Sequence, residues 1–209
     1  MLTQEEWMGA LNARHGKERQ EKFSRAAVAV CGLGGLGSNV AIALARAGIG
    51  KLILIDFDRV DVTNLNRQQY KASQLGMNKT EALAQNLREI NPLIQLETHA
   101  VRISEENAQE LLQEADVVCE AFDVPEAKAM LVNFVLENMP EKYLVAGSGM
   151  AGFGSPNTIQ TRRITGRFYL CGDTVSDVND GIGLVCARVM VCAAHEAHTI
   201  LRLLANEIE

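Results

Sequence analysis

Short apolar runs alternate with amphipathic segments along most of this chain. The apolar runs are five to eight residues long and rich in valine, isoleucine, leucine and alanine. Runs of this length and composition are typical of strands buried on both faces of a sheet. They predict strands at residues 27–31, 51–56, 116–123 and 142–147. A further strand is predicted at residues 94–101, where apolar and polar residues alternate.

The segments between these runs have the periodicity and the end signals of helices. Pro125 occupies the favoured first position of one helix, and Ser104 is a suitable N-cap for another. The predicted helices cover residues 3–23, 38–47, 78–91, 104–113, 125–138 and 184–206.

The alternation of strands and helices predicts an α/β fold, a Rossmann-like, doubly wound and mainly parallel sheet with helices on both faces. After residue 147 the pattern is less regular, so we expect an irregular C-terminal extension with strands at 158–164 and 167–170, a loop and the closing helix. We predict a single domain, residues 1–209, with residues 1–25 as an N-terminal helical appendage.

The first predicted strand ends in a glycine cluster, Gly32, Gly34, Gly35 and Gly37, that leads into a helix. Glycine can take the sharp exit from a strand, and it lets a phosphate approach the backbone without a Cβ in the way. The helix N-terminus then offers unpaired N–H groups and a partial positive charge. The second strand ends in Asp56, 19 residues after Gly37, where an acid can accept hydrogen bonds from a ribose. The pattern predicts nucleotide binding, although a purely structural turn would need the same glycines.

Charge and composition narrow the possible functions. The chain has 26 acidic and 20 basic residues, and a net charge of -6 does not favour a nucleic-acid surface. No run of about 18 apolar residues occurs and the first 20 residues are polar, so we expect a cytoplasmic protein without membrane contact. The five cysteines form no C-x-x-C pair, so neither a disulfide framework nor a zinc site is predicted.

Further motifs follow the glycine turn in order along the chain. They are Leu54-Ile-Asp-Phe-Asp58, Asn64-Leu-Asn-Arg-Gln68, Gly76-Met-Asn-Lys79 and a strand that ends at Asp123. Together with Gly32-Leu-Gly-Gly-Leu-Gly37, they resemble the ThiF/MoeB/HesA-type, E1-like adenylating enzymes, which activate ubiquitin-like sulfur carriers. The resemblance is specific from residue 26 to about 125 and holds only in outline beyond. The compact thiamine-type branch of the family is the most similar.

The resemblance implies an enzyme that uses ATP and magnesium to adenylate the C-terminal carboxylate of a small ubiquitin-like sulfur carrier ending in Gly-Gly, in thiamine biosynthesis. The implied catalytic residues are Arg67, Lys79 and Asp123, and Asp123 would also hold Mg²⁺. Arginine offers a planar fork that suits phosphate oxygens, and lysine offers a compact charge. The implied nucleotide-binding residues are Gly32, Gly34, Gly35, Asp56, Asp58, Asn64, Arg67, Lys79 and Asp123.

The resemblance also implies a homodimer, in which Arg14 of one chain reaches the site of its neighbour. Two features depart from the family pattern. The two C-x-x-C pairs that commonly bind a structural zinc are missing, and Val124 follows the magnesium aspartate where many members have asparagine. Neither Cys171 nor Cys186 lies in a motif that identifies a cysteine for a persulfide or thioester. A covalent cysteine step and ordinary thiols therefore both stay open.

Two other functions also stay open. A nicotinamide-dependent oxidoreductase would use the same glycine turn and Asp56, but it gives no role to Asn64, Arg67 and Lys79. A catalytically inactive module would keep the fold and bind a nucleotide without transferring any group. The presence of Arg67, Lys79 and Asp123 together argues against that function.

Overall fold

Strands from both halves of the chain form one sheet in the computed structural model, which describes residues 2–179 and 181–208. The strands are β1 Ala27–Cys31, β2 Lys51–Ile55, β3 Gln95–His99, β4 Val117–Glu120, β5 Tyr143–Gly147, β6 Gln160–Arg163 and β7 Phe168–Gly172. Their order is β3-β2-β1-β4-β5-β7-β6. All neighbouring strands are parallel except β6, which pairs with β7 in the antiparallel direction at the edge.

The helices connect these strands and cover the sheet. They are α1 Gln4–His15, α2 Lys17–Arg25, α3 Gly35–Ala47, α4 Lys79–Ile90, α5 Glu105–Leu112, α6 Pro125–Asn138 and α7 Cys186–Ala205. Within residues 2–179 and 181–208, none of the helices combines the length and the apolar character needed to span a bilayer.

Both faces of the central strands β1, β2, β4 and β5 are buried, as their near-continuous apolar sequences predict. Val28 and Val30 of β1 lie in a core with residues of α3, α4 and α7. Ala29 and Cys31, which alternate with them, lie in a second core with residues of α5 and α6. The doubly wound α/β architecture is therefore confirmed.

The centre of the sheet contains a topological switch point, which is where a ligand site is expected in this kind of fold. The strand β2 lies on one side of β1 and β4 lies on the other, so the chain changes its winding direction between β1 and β4. Ligands of doubly wound sheets bind outside the carboxyl ends of the strands at such a switch point. The glycine turn follows β1 at this position.

Some predicted boundaries were wrong. The helix predicted at 3–23 is two helices, because Gly16 has a φ of 82° between α1 and α2. The helix α3 begins at Gly35 instead of residue 38, so glycines form its first turn. The strand β4 ends at Glu120, which leaves Asp123 in the bend before α6 instead of at a strand end. The C-terminal extension is more regular than expected, because β7 and β6 continue the sheet.

Candidate functional site

Two glycines of the turn after β1 have no room for a side chain. Gly32 has a φ of 91°, and a Cβ there would lie 2.8 Å from the carbonyl oxygen of Ala121. A Cβ on Gly37 would overlap the carbonyl oxygen of Gly32. The backbones of α3 and of the segment after β4 therefore pack directly against the end of β1, and only glycine permits this approach.

The two glycines between them are more accessible. A Cβ on Gly34 would meet nothing closer than Nε2 of Gln68, at 3.8 Å. Gly35 begins α3, and a Cβ there would lie 3.0 Å from Val189 and 3.5 Å from Cγ of Arg67. The first turn of α3 contains no acidic residue. The unpaired N–H groups of this turn are thus open to an anion from the side on which Arg67 lies.

Asp56 connects the end of β2 to the glycine turn. Its Oδ2 accepts the backbone N–H of Leu33 at 2.7 Å, and its Oδ1 accepts that of Asp58 at 2.8 Å. Asp56 is buried, and burial raises the pKa of its carboxyl group, while nearby Lys79 opposes that rise. A buried carboxylate with free lone pairs at this edge is suited to accept further hydrogen bonds.

Lys79 lies beside Asp56, although 23 residues separate the two in the sequence. The polar segment between them folds back on itself, because the N–H of Lys79 donates to the carbonyl of Asp58 at 3.0 Å. The Lys79 side chain is buried, and its Nζ lies 2.8 Å from Oδ2 of Asp58 and 4.0 Å from Oδ2 of Asp56. Since the side chain of Asp58 is 48% exposed, a buried cation here contacts an acid that faces solvent.

Arg67 extends from the same polar segment over the glycine turn. The side-chain amide of Asn39 donates to the carbonyls of Gly35 and Arg67, at 2.6 and 3.2 Å, and so joins the two backbones. One guanidinium nitrogen, Nη1, donates to the carbonyl of Thr63 and to Oδ1 of Asn66. The Nε of Arg67 is buried and has no hydrogen-bond partner in the described part of the chain.

Asn64 and Asp123 are the two remaining predicted site residues: Asn64 lies in the same polar segment as Arg67, and Asp123 lies in the segment after β4 that packs against the glycine turn. Asn64 belongs to a short 3-10 helix, and its Oδ1 accepts the backbone N–H of Asp61 at 3.0 Å, which caps that helix. Asp123 is exposed, two residues after Ala121, whose carbonyl lies against Gly32. The capping bond of Asn64 uses its side-chain oxygen. The single exposed carboxylate of Asp123 is compatible with Mg²⁺, because Mg²⁺ commonly takes one or two carboxylates plus phosphate oxygens. In the described ranges, no three His, Cys, Asp or Glu side chains are grouped to hold a metal ion.

A second group of charges lies beneath the carboxyl ends of β4 and β5, and the sequence interpretation missed it. Glu120 is wholly buried, and its carboxylate accepts Nζ of Lys128 at 2.5 Å and the N–H of Phe122 at 2.8 Å. Lys128 also donates to the carbonyl of Gly147 at 2.8 Å. One local signal was available, since Glu120 is an acid inside an apolar run.

Glu196 of α7 completes this group, which we call the buried charge cluster: Glu120, Lys128 and Glu196. Glu196 is wholly buried, and neither carboxylate oxygen has a hydrogen-bond partner in residues 2–179 and 181–208. A Cβ on Gly147 would lie 2.8 Å from Oε1 of Glu196, so glycine leaves the space that the carboxyl group occupies. Burial raises the pKa of the Glu196 carboxyl group well above its usual value, because the charged form is costly to hold inside the protein.

The cysteines differ in their access to solvent. Cys171 is wholly buried, and burial raises the pKa of its thiol to about 12. A thiol with this pKa forms little thiolate near neutral pH and is a poor nucleophile. Cys186 is half-buried at the start of α7, with its Sγ 3.7 Å from Sδ of Met190.

Arg14 is exposed on α1, and this helix packs near the C-terminal end of α3, the helix whose N-terminal end adjoins the glycine turn. Leu11 of α1 lies against Gly48, at the end of α3, whereas the glycine turn precedes the start of that helix. The 13 residues of α3 separate the two positions by about 20 Å. Within one chain, Arg14 is therefore remote from the candidate site.

The switch point, the open glycine turn and the cations beside it define a Rossmann-like nucleotide-binding protein. The ThiF family profile matches residues 9–207, and the chain belongs to the ThiF family.

Curated relatives have similar sequences. The adenylyltransferase and sulfurtransferase MOCS3 of Anopheles gambiae is 32% identical over 200 residues, covering 92% of this chain and 44% of the relative. The sulfur carrier protein adenylyltransferase of Thermus thermophilus is 38% identical over 131 residues, covering 62% of this chain and 43% of the relative. This chain therefore spans less than half the length of either relative.

Solved structures share the fold. The E. coli tRNA N6-threonylcarbamoyladenosine dehydratase TcdA, in complex with AMP, has a TM-score of 0.87 at 24% identity, covering 99% of this chain and 98% of that chain. E. coli MccB with MccA-N7isoASN has a TM-score of 0.71 at 23% identity, covering 92% of this chain and 60% of that chain. At these identities, the likeness is one of fold alone.

Proposed function

We propose that this protein is an ATP-dependent adenylyltransferase, which converts the C-terminal carboxylate of a small ubiquitin-like sulfur carrier into an acyl-adenylate. The observation that carries the proposal is the position of Arg67. Its stem lies against Gly35, and its buried Nε has no partner in the described residues. An unpaired buried donor is unfavourable, and a phosphate oxygen at the N-terminus of α3 would satisfy it.

The proposed reaction joins a carboxylate oxygen of the carrier to the α-phosphorus of ATP. As this bond forms, the bond between the α-phosphorus and the bridging oxygen breaks, and pyrophosphate leaves. Negative charge grows on the phosphate oxygens during the transfer, so cations placed there before the reaction lower the barrier. Arg67 supplies such a cation from above the glycine turn, and Lys79 supplies a second by exchanging Asp58 for a phosphate.

The other candidate residues have roles in holding the nucleotide. In this proposal Gly32, Gly34 and Gly35 admit the phosphates, and Asp56 accepts hydrogen bonds from the ribose. Asp123 would hold Mg²⁺, which would neutralise charge on the triphosphate. We include no zinc ion in the proposal.

Asn64 and Asp58 have secondary roles in the nucleotide site, Asn64 as a direct contact and Asp58 through Lys79. The oxygen of Asn64 is used in the cap, so its amide N–H groups are the part that contacts the ligand. Asp58 positions Lys79 before ATP binds, through the contact of 2.8 Å.

The relatives support the kind of partner that we propose. Their names include adenylyltransferase, and that of the Thermus thermophilus protein specifies a sulfur carrier protein. A carrier that ends in Gly-Gly, a role in thiamine biosynthesis and a cytoplasmic location are the further parts of this proposal. So is a homodimer, whose second chain would bring Arg14 to the site that it cannot reach within its own chain.

Carrier-dependent exchange of radiolabelled pyrophosphate into ATP tests the proposed activity. We expect exchange with a Gly-Gly carrier and Mg-ATP, and none with the same carrier amidated at its C-terminus, because the amide cannot form an acyl-adenylate. Thermal stabilisation by NAD(H) without any by Mg-ATP would instead support the oxidoreductase. Binding of Mg-ATP without exchange, on a panel of such carriers, would support the inactive module. A monomer mass that does not change with concentration in light scattering would reject the homodimer and the role of Arg14.

A further inference from the structure

Three glutamines, Gln20, Gln68 and Gln74, are buried in the described part of the chain, and Gln68 differs from the other two. Gln20 and Gln74 use both ends of their side-chain amides in contacts of hydrogen-bond length with other parts of the chain. Gln68 is only 7% exposed, yet its side-chain amide has no hydrogen-bond partner among residues 2–179 and 181–208. A buried amide without partners is unfavourable, so this side chain calls for an explanation.

The amide of Gln68 lies beside the first turn of α3. Its Nε2 is the atom closest to the position that a Cβ on Gly34 would take, at 3.8 Å. Unlike Oε1, this nitrogen is not fully enclosed by the protein. Gly34 is the N-cap residue of α3, and no side chain caps this helix. The donor end of the Gln68 amide therefore lies next to the open N–H groups of the helix N-terminus.

Backbone contacts hold Gln68 at this position. Its N–H donates to the carbonyl of Asn64 at 3.0 Å, and its carbonyl accepts the N–H of Tyr70 at 2.9 Å. The hydroxyl of Tyr70 donates to the carbonyl of Leu33, within the glycine turn, at 2.7 Å. The main chain thus fixes the place of Gln68, while the polar end of its side chain contributes no contact to the fold. An apolar side chain of the same size would serve the fold better.

The groups around the space above Gly34 and Gly35 are donors. They are the N–H groups of the first turn of α3, Nε2 of Gln68 and the side chain of Arg67, whose stem lies against Gly35. The first turn of α3 contains no acidic residue. A ligand atom that can accept hydrogen bonds from several donors at a helix N-terminus is an anionic oxygen, such as that of a phosphate.

We propose that Gln68 binds the phosphate chain of the nucleotide, by donating from Nε2 to a phosphate oxygen held at the N-terminus of α3. The sequence motif Asn64-Leu-Asn-Arg-Gln68 includes this residue, but neither the motif nor the proposed adenylation gives it a role. The inference rests on the nucleotide binding that the proposed function requires. It does not rest on the transfer step.

Replacement of Gln68 by methionine tests the inference, because methionine is similar in size and has no amide. Calorimetric titration with Mg-ATP and with adenosine measures binding, and thermal denaturation without ligand measures stability. We expect Gln68→Met to weaken Mg-ATP about tenfold, the effect of losing one hydrogen bond to a charged group, and to change the affinity for adenosine less than twofold. The melting temperature of the free protein should rise by about 2 °C or more, because an unpaired buried amide is removed.

Gln74→Met is the matched control. Gln74 is also buried, but its amide pairs with Asn86 of α4 and with the carbonyl of Ala82. Its replacement leaves buried partners unpaired, so the melting temperature should fall by about 2 °C or more. The affinity for Mg-ATP should stay within about twofold of the unmodified protein. The two glutamines are therefore expected to change stability in opposite directions.

Three results would overturn the inference. They are an unchanged affinity for Mg-ATP in Gln68→Met, an equal loss for Mg-ATP and adenosine, and a Gln68→Met variant that is less stable than the unmodified protein or fails to fold. Failure of the proposed function gives a different result. A protein that binds Mg-ATP through Gln68 but shows no carrier-dependent pyrophosphate exchange would reject the adenylation and support the role of Gln68.

Discussion

Two buried carboxylates, Asp56 and Glu120, lie at the carboxyl ends of β2 and β4, the strands on either side of β1, and each lies near a lysine. Asp56 accepts two backbone N–H groups, and Lys79 stays 4.0 Å away from it while contacting Asp58. Glu120 instead contacts its lysine, Lys128, directly at 2.5 Å. The first pair therefore leaves its cation paired with an acid that faces solvent, whereas the second joins a lysine to a wholly buried acid.

This difference assigns different tasks to the two lysines. Lys79 can exchange an exposed carboxylate for a phosphate with little loss, because Asp58 is then solvated by water. If Lys128 left Glu120, it would leave a buried carboxylate without its cation. Lys128 also donates to the carbonyl of Gly147. We therefore infer that the Asp56–Lys79 pair serves a ligand, and that the buried charge cluster holds β4, β5 and α6 together beneath it.

Replacement of the second lysine should have the largest effect on stability. Lys128→Met leaves Glu120 buried without its cation, and we expect a loss of about 3 to 5 kcal/mol in the free energy of unfolding. Lys79→Met should cost only about 1 kcal/mol, because Asp56 keeps both backbone donors and Asp58 becomes solvated. Urea denaturation of both variants measures the difference. Equal losses in the two variants would contradict the distinction between the pairs.

Replacement of the arginine over the glycine turn should affect chemistry more than folding. We expect Arg67→Ala to lower the rate of acyl-adenylate formation by a factor of about a hundred or more, the effect typical of losing one prearranged charge-stabilising donor. Binding of ATP should weaken much less, since the charge on the phosphates is greatest during the transfer. Single-turnover trapping of the adenylate and equilibrium binding of ATP separate the two quantities.

Arg46→Ala is the matched control for this replacement, because Arg46 is exposed on α3, the helix that the glycine turn begins. Its adenylation rate should stay within about twofold of the unmodified protein, the range of a surface change that leaves chemistry alone. An unimpaired adenylation rate in Arg67→Ala would contradict the catalytic role of Arg67, on which the proposed function rests.

The pH dependence of stability should reveal Glu196. Burial raises its pKa well above 4.5, so the native protein keeps this proton to a higher pH than the unfolded chain does. The stability linked to the group is fully present below about pH 4.5 and is lost as the pH rises toward the raised native pKa. In that window, the stability of the unmodified protein relative to Glu196→Gln should fall by up to about 1.4 kcal/mol per pH unit.

Denaturation curves at several pH values, with Glu126→Gln as the control, measure this slope. Glu126 is exposed on α6, so its replacement should leave the pH dependence nearly unchanged. Parallel curves for the unmodified protein and Glu196→Gln would mean that Glu196 titrates as it does in the unfolded chain.

The comparison also separates what the sequence could predict from what it could not. The fold and the surroundings of Asp56 and Lys79 follow from local signals, namely apolar runs, a glycine turn and ordered motifs within about fifty residues. The buried charge cluster takes residues from β4, α6 and α7, and no motif connects segments so far apart. Only packing of the folded chain brings them together. Gly16, by contrast, was a local helix-ending signal that the helix prediction for residues 3–23 did not use.

The smallest effects are expected from replacement of the cysteines. These replacements test whether adenylate formation takes place at the glycine turn. A thiol takes no part when a carboxylate attacks an α-phosphate, so Cys171→Ser and Cys186→Ser should keep adenylate formation within about twofold. Because burial raises the pKa of Cys171 to about 12, any later covalent sulfur step would use the more accessible Cys186. Pyrophosphate exchange and a sulfur-transfer assay on both variants distinguish the two stages. Loss of exchange in a folded Cys186→Ser variant would move the first step from the glycine turn to the start of α7.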